Sequence, residues 1–246
     1  MALTVVIPAR MASSRFPDKP LVRLAGRPLI EWVCRSAQAV QGVERVVVAT
    51  DSARIQEAVT GFGGQVVMTD QSHASGTDRV AQAARLLKLG PEERVVNLQG
   101  DQPLCPSALV EKTASLLDDD PDLGLATAAV PLPNELASDP DRVKVVLDSQ
   151  GYALYFSRAP IPYARDERTK VEYLKHLGIY AFRNRFLQTF TGLPQGVLEQ
   201  VEMLEQLRAL EQGFRIKVAV TPDDSPAVDS PQDVDHIESL LVSDGS

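Results

Sequence analysis

The run Leu3-Thr4-Val5-Val6-Ile7-Pro8-Ala9 constrains the fold more than any other stretch of the chain. It is apolar almost without interruption and shows none of the polar alternation of a strand that keeps one face in water. Such a run predicts a strand buried on both faces of a parallel sheet. It then opens abruptly into Arg10-Met11-Ala12-Ser13-Ser14-Arg15-Phe16-Pro17-Asp18-Lys19. In open α/β sheets, ligands bind beyond the carboxyl ends of the strands. A loop there with small residues and the cations Arg10, Arg15 and Lys19 suits a polyphosphate, through guanidinium and ammonium groups and open backbone N–H donors. The competing reading is an exposed loop whose cations are only solvated.

The rest of the chain repeats the strand–helix alternation. Helical spacing covers Pro28 to Val40, Ser52 to Phe62, Thr77 to Leu87 and Pro106 to Leu117. Between these lie strand-like runs at Arg45 to Thr50, Gln65 to Met68 and Arg94 to Leu98. This is the pattern of a doubly wound, mostly parallel α/β sheet. The second half changes character, with strands expected at Leu125 to Val130, Val143 to Leu147, Ala153 to Phe156 and Leu177 to Phe182. Asp148-Ser149-Gln150-Gly151 reads as a hairpin turn. These strands suggest a small antiparallel addition, a substrate lid or dimer surface over about 125–182. A long amphipathic helix is expected over Leu198 to Leu210, then a strand at Arg215 to Val220 and a closing helix from Pro231 to Leu241 capped by Ser230. At 246 residues the expectation is a single domain over 1–246.

With 33 acidic against 25 basic side chains, the net charge of −8 argues against a nucleic-acid binder, which needs a broad basic surface. A small anionic ligand needs only local cations. No signal peptide or apolar stretch of about 20 residues is visible, so the expected location is cytoplasmic and no membrane contact is expected. Cys34 and Cys105 have neither metal nor redox spacing and read as small core residues.

Asp101 lies just beyond a strand end, and Asp229 lies between the last strand and the last helix. Carboxylates from separate strand ends can converge on a divalent cation. Asp101 also reads as a turn residue, and on residue type alone Asp229 reads first as a helix-start charge. Ser75-Gly76-Thr77-Asp78-Arg79 suits an anionic or heterocyclic ligand at a helix N-terminus, but ordinary capping explains it as well. Arg158, His176, Glu202, Glu205 and Gln206 single out no reaction by spacing. A dinucleotide oxidoreductase would need a Gly-x-Gly-x-x-Gly turn after the first strand, and Arg10-Met11-Ala12-Ser13-Ser14 is not one.

Several separate motifs together are specific. They include Ile7-Pro8-Ala9-Arg10 with Ser14-Arg15 and Lys19-Pro20-Leu21, Ala49-Thr50-Asp51, Ser75-Gly76-Thr77 and Gln99-Gly100-Asp101. Others are Val145-Val146-Leu147-Asp148, Ala153-Leu154-Tyr155-Phe156-Ser157-Arg158, His176-Leu177-Gly178-Ile179-Tyr180 and Glu202-Met203-Leu204-Glu205-Gln206-Leu207-Arg208. From end to end the chain resembles the 3-deoxy-manno-octulosonate (Kdo) cytidylyltransferases. The resemblance implies a Rossmann-like nucleotidyltransferase sheet, transfer of CMP from CTP to the anomeric hydroxyl of Kdo with release of pyrophosphate, Mg²⁺ as cofactor, and a homodimer. It places Ala9, Arg10, Arg15, Lys19, Ser75, Gly76, Arg79 and Gln99 around the nucleotide, and Arg10, Lys19, Asp101 and Asp229 in catalysis. Asp101 and Asp229 would be the metal ligands. Gln99, Arg158, His176, Tyr180, Glu205 and Gln206 would surround the sugar acid, with Arg158 at its carboxylate. Two positions depart from the family's common form: Gln102 replaces Glu, and Asp78 stands where that form has Glu. The Gly-Asp-Gln-Pro version resembles a branch associated with 8-amino-Kdo, which is the alternative substrate. The stretch from Pro162 to Lys175 is also shorter than in the common form. A cytidylyltransferase for another sugar acid and a non-catalytic nucleotide-binding module are the remaining alternatives.

Overall fold

The computed structural model describes residues 2–11, 16–166 and 170–243. In chain order, β1 (Leu3–Ala9) is followed by a short 3₁₀ turn, the two-residue strands β2 (Arg23–Leu24) and β3 (Arg27–Pro28), and α1 (Leu29–Gln38). Next come β4 (Val43–Thr50), α2 (Ala53–Gly61), β5 (Gln65–Met68), α3 (Gly76–Leu86), β6 (Arg94–Asn97) and α4 (Ser107–Asp119). The second half holds β7 (Leu125–Leu132), β8 (Lys144–Leu147), β9 (Ala153–Ser157), β10 (Tyr173–Arg183), α5 (Asn184–Gly192), α6 (Val197–Glu202), α7 (Leu207–Glu211), β11 (Ile216–Val220) and α8 (Asp233–Ser243).

The main sheet runs β11-β7-β10-β6-β1-β4-β5. Only β10 is antiparallel to its neighbours in that order. β1 is central, pairing with β4 on one side and β6 on the other. Its side chains divide between two cores, with Val5 and Ile7 packing on one face and Val6 on the other. The first core takes apolar residues from α1, α2, α4 and α8, and the second from α3, α5 and α7. An uninterrupted apolar strand is what a two-sided core requires.

The stretch 125–182 is woven into this architecture. Its two longest strands, β7 and β10, lie in the main sheet, while β8 and β9 form the antiparallel pair attached to β10. Three steps along β10, from Leu177 to Tyr180, match one step along β7, from Ala128 to Thr127. A bulge of this kind re-aims side chains beside a site.

The expected helix over Leu198 to Leu210 is replaced by two short ones, α6 and α7, separated at Met203, whose backbone is left-handed with φ 53°. Tertiary hydrogen bonds override the helical period there. Glu202 bonds Ser157 and Arg158, and Glu205 bonds Ser75 and Thr77. The closing helix starts at Asp233, later than Pro231, and the Asp233 carboxylate accepts from the backbone N–H groups of Asp229 and Ser230.

Candidate active site

A cavity of about 300 Å³ lies at the carboxyl ends of β1 and β6. The loop after β1 contributes Ala9, Arg10 and Lys19, and the turn after β6 contributes Gln99, Gly100 and Asp101. Ser75, Gly76 and Arg79 enter from the start of α3, and Asp229 enters from the loop after β11. Residues far apart in sequence, all expected around a nucleotide and metal, thus line one space. Arg15 lies outside the described residues.

Close backbone approach sets the shape of this cavity. A Cβ added at Gly100 would stand 2.9 Å from the Pro8 carbonyl oxygen, and one at Gly76 would stand 3.3 Å from Pro8 Cγ. Glycine therefore lets the β6 turn lie against the end of β1. Lys19 Nζ pairs with Asp101 Oδ2 at 2.8 Å. Arg79 is buried, its guanidinium 2.9 Å from Asp51 Oδ2 while donating to Thr69 Oγ1 at 2.5 Å. It is thus a fixed cation in the cavity wall.

Ser75 caps α3 in a reciprocal box with Asp78, its hydroxyl accepting from the Asp78 N–H at 3.1 Å. The same hydroxyl donates to Glu205 Oε1 at 2.8 Å, and Thr77 donates to Glu205 Oε2 at 2.8 Å. Asn97 at the end of β6 donates to Thr77 at 3.1 Å. Glu205 therefore braces the start of α3 against the sheet and lines neither this cavity nor its neighbour. Burial raises its pKa, and the bonds from Thr77 and Ser75 oppose that shift.

The neighbouring cavity, about 270 Å³, is lined by His176, Tyr180 and Gln206, together with Gln102, Ser225 and Lys175. The two cavities share their loops. Residues 99–101 face the first and Gln102 the second, while Ser225 faces the second and Asp229 the first. Val228 N donates to the Asp101 carbonyl at 2.9 Å, locking these loops together. Gln99 Nε2 donates to the Gly178 carbonyl at 3.3 Å, tying the β6 turn to the bulge in β10.

Thr127 Oγ1 donates to the Ile179 carbonyl at 2.7 Å, which assigns His176 Nε2 as the donor in its 2.8 Å contact with Thr127. Burial pushes His176 down to about 3 and holds the Tyr180 phenol well above its ordinary value, with Glu205 adding to the latter. Both stay uncharged near neutrality. Tyr180 donates to Gln206 Oε1 at 3.0 Å. Arg158 lines neither cavity. Its Nε donates to the Glu202 carbonyl at 2.8 Å and its Nη1 to the Pro140 carbonyl at 2.9 Å.

Sequence reasoning missed His73, which lines the first cavity, and Lys175 and Ser225, which line the second. Lys175 stands beside His176 in the same strand, and that adjacency was the available signal. Nothing local marks His73 or Ser225.

A polar cavity bearing Arg10, Lys19 and Arg79 beside paired strand-end carboxylates, on this sheet, defines a nucleotidyltransferase of the α/β class. The profile of the cytidylyltransferase family matches residues 4–217. The chain belongs to that family. It is 50% identical over 244 residues to the 3-deoxy-manno-octulosonate cytidylyltransferase of Desulfosudis oleivorans, covering 99% of this chain and 98% of that one. It is 47% identical over 246 residues to the 8-amino-3,8-dideoxy-manno-octulosonate cytidylyltransferase of Shewanella pealeana, covering 99% and 100%. The structure of a CMP:2-keto-3-deoxy-manno-octonic acid synthetase complexed with CTP superposes with a TM-score of 0.94 at 41% identity, covering 99% of this chain and 100% of that one.

Proposed function

We propose that this protein transfers CMP from CTP to the anomeric 2-hydroxyl of 3-deoxy-manno-octulosonate, releasing pyrophosphate. The observation that carries the reading is the pair of adjoining cavities built on shared loops. One offers cations and carboxylates to a triphosphate, and the other offers neutral hydrogen-bonding groups to a polyol. The relative that takes Kdo and the relative that takes its 8-amino analogue are nearly equally similar, so the family reading covers both sugars.

Charge neutralisation and positioning dominate chemistry of this type. Arg10 and Lys19 hold the triphosphate and offset the charge that builds on departing pyrophosphate. Asp101 and Asp229 face the same cavity from separate loops, and two carboxylate oxygen donors suit Mg²⁺, which takes one or two carboxylates plus phosphate oxygens. Asp101 and Asp229 would hold the cation, which would supply Lewis-acid activation of the attacking hydroxyl and charge neutralisation at the phosphates. Gln99, reaching the bulge in β10, lies between nucleotide and sugar. His176 and Tyr180, held uncharged, hydrogen-bond sugar hydroxyls without adding charge.

The protein acts as a homodimer in this reading. Leu154 on β9 is 62% exposed, and Val197, Val201 and Met203 of the α6 segment are 71–80% exposed. Glu202 ties the two elements together through Ser157 and Arg158. These exposed apolar side chains, on two elements tied in this way, are the candidate dimer surface. Among the described residues no helix is long and apolar enough to cross a membrane, and with CTP as substrate the working location is the cytoplasm.

The test is pyrophosphate release from CTP and Mg²⁺ with Kdo and with 8-amino-Kdo at matched concentrations. Turnover with either sugar supports the reading, and silence with both overturns it. Nucleotide binding without turnover would leave the non-catalytic module as the answer.

A further inference from the structure

His73 precedes α3 and lines the first cavity, while Gln82 lies in the second turn of that helix and lines neither cavity. Their side chains meet at 2.6 Å, His73 Nε2 against Gln82 Oε1. Two further bonds decide the direction of this contact. Gln82 Oε1 accepts the Asp70 backbone N–H at 2.8 Å, and a backbone N–H can only donate. Gln82 Nε2 donates to Asp70 Oδ2 at 2.6 Å, where an amide oxygen would face a carboxylate oxygen. The amide is therefore held in one orientation, with its oxygen toward the imidazole, and His73 Nε2 must carry the hydrogen. In the neutral ring Nδ1 is then an acceptor. Among the described residues Nδ1 has no hydrogen-bond partner.

The loop that carries His73 is also fastened to α3 through Arg79. That guanidinium donates to Thr69 Oγ1 at 2.5 Å and to the Asp70 carbonyl at 3.4 Å. The ring is thus fixed in place by the loop and in tautomer by Gln82. An acceptor on a cavity wall sorts what can lie against it. An ionised triphosphate offers only acceptor oxygens, which a lone pair repels. A nucleoside offers donors, in the hydroxyls of a ribose and the exocyclic amine of a cytosine.

We propose that His73 accepts a hydrogen bond from the nucleoside through Nδ1, and that Gln82 is the positioning residue that holds the ring in the tautomer this needs. The proposal rests on the functional reading above and deepens it. Arg10 and Lys19, from the loop after β1, suit the phosphates, and His73, from the loop before α3, suits the nucleoside. The two loops together set which way round the nucleotide lies.

The test reads the tautomer directly, by long-range ¹H–¹⁵N correlation spectra of the imidazoles at about pH 8, where an ordinary histidine is neutral. The chain has three histidines, and loss of signals in His73→Phe assigns the one concerned. CTP without sugar is the probe. Free His73 is expected to show a protonated Nε2 and a bare Nδ1, and CTP to shift the Nδ1 resonance. Gln82→Met should mix the tautomers and raise KM for CTP about tenfold with kcat within about threefold, and His73→Phe should match that KM. Gln82→Glu keeps an acceptor at the same place and should restore both the tautomer and the KM. UTP and 2′-deoxy-CTP tell the two donors apart: His73→Phe should erase the preference for CTP over the analogue lacking the donor that Nδ1 accepts.

A hydrogen on Nδ1 in the free protein, or an Nδ1 resonance unmoved by saturating CTP, overturns the proposal, and turnover with either sugar then leaves the cytidylyltransferase reading intact. Preferences over both analogues unchanged in His73→Phe overturn it as well. A lower melting temperature in Gln82→Met with tautomer and KM unchanged reduces Gln82 to a structural role. No turnover with either sugar overturns the functional reading, and the response of Nδ1 to CTP still decides this proposal.

Discussion

Lys19 Nζ stands 2.8 Å from Asp101 Oδ2, so a cation and a carboxylate neutralise one another across the first cavity. The side chains are 16% and 26% exposed, well placed to exchange this bond for ligands. Charge is thereby balanced across the cavity, and under the proposed function Lys19 would turn to phosphate oxygens once Asp101 held a cation.

Asp101→Asn keeps the volume and removes the charge. It is expected to lower kcat/KM by about a hundredfold or more, in line with losses seen when a single electrostatic stabiliser is removed. The melting temperature should hold within a few degrees, because a partly exposed ion pair contributes little to stability. A magnesium titration of pyrophosphate release checks this, and near-normal activity at ordinary magnesium would remove Asp101 from the mechanism. Lys19→Met is expected to raise KM for CTP while tightening divalent-cation binding without nucleotide, measured by calorimetry.

Gly100 sets how closely the β6 turn approaches β1. Alanine there puts a methyl carbon 2.9 Å from a backbone oxygen that cannot swing aside. The turn must shift and carry Gln99, Asp101 and Gln102 with it. A cost of about 1–3 kcal/mol is expected, as for other overpacked sites. Denaturant unfolding checks the stability, and kcat for both substrates should fall together. An unchanged unfolding midpoint would mean that the turn has room to relax.

The parallel half of the sheet was legible because its strands carry their own signal. β1 is a long apolar run, β4 carries a shorter one over 46–49, and α2 is bounded by the Ser52 cap and a positive-φ Gly63. The placing of Arg10, Lys19 and Asp101 followed from a topological rule, since each lies past a strand end that the sheet gathers on one side, whereas Ala9, Gln99 and Asp229 were expected there through the family resemblance. What escaped was decided by tertiary bonds. Leu198 to Leu210 has a helical apolar period, and only the partners of Glu202 and Glu205, far away in sequence, break it at Met203.

His176 makes stability depend on pH on the acid side. Its folded-state pKa of about 3 lies below the ordinary 6.5, so the unfolded chain binds a proton that the native one refuses. The stabilisation is full above pH 6.5 and is lost progressively as pH falls toward 3. Melting temperature is therefore expected to decline between pH 7 and 5, and His176→Gln should flatten that slope while lowering stability at pH 7 through loss of packing against Phe156, 4.8 Å away between ring centroids. Parallel slopes for the two proteins across that window would assign the acid sensitivity to other groups.

The exposed apolar side chains on α6 and β9 are where the proposed dimer would be tested. Val201 and Met203 are 76% and 80% exposed and lie outside both cavities. Replacing Val201 with Asp puts a charge into the surface that would be buried between protomers, where an unpaired carboxylate is costly. The expected result is conversion of dimer to monomer in sedimentation equilibrium, with far-UV circular dichroism unchanged because the altered side chain supports nothing within its own chain. A monomeric unaltered protein would assign these side chains another role. A dimer that survives Val201→Asp would move the interface elsewhere on the surface.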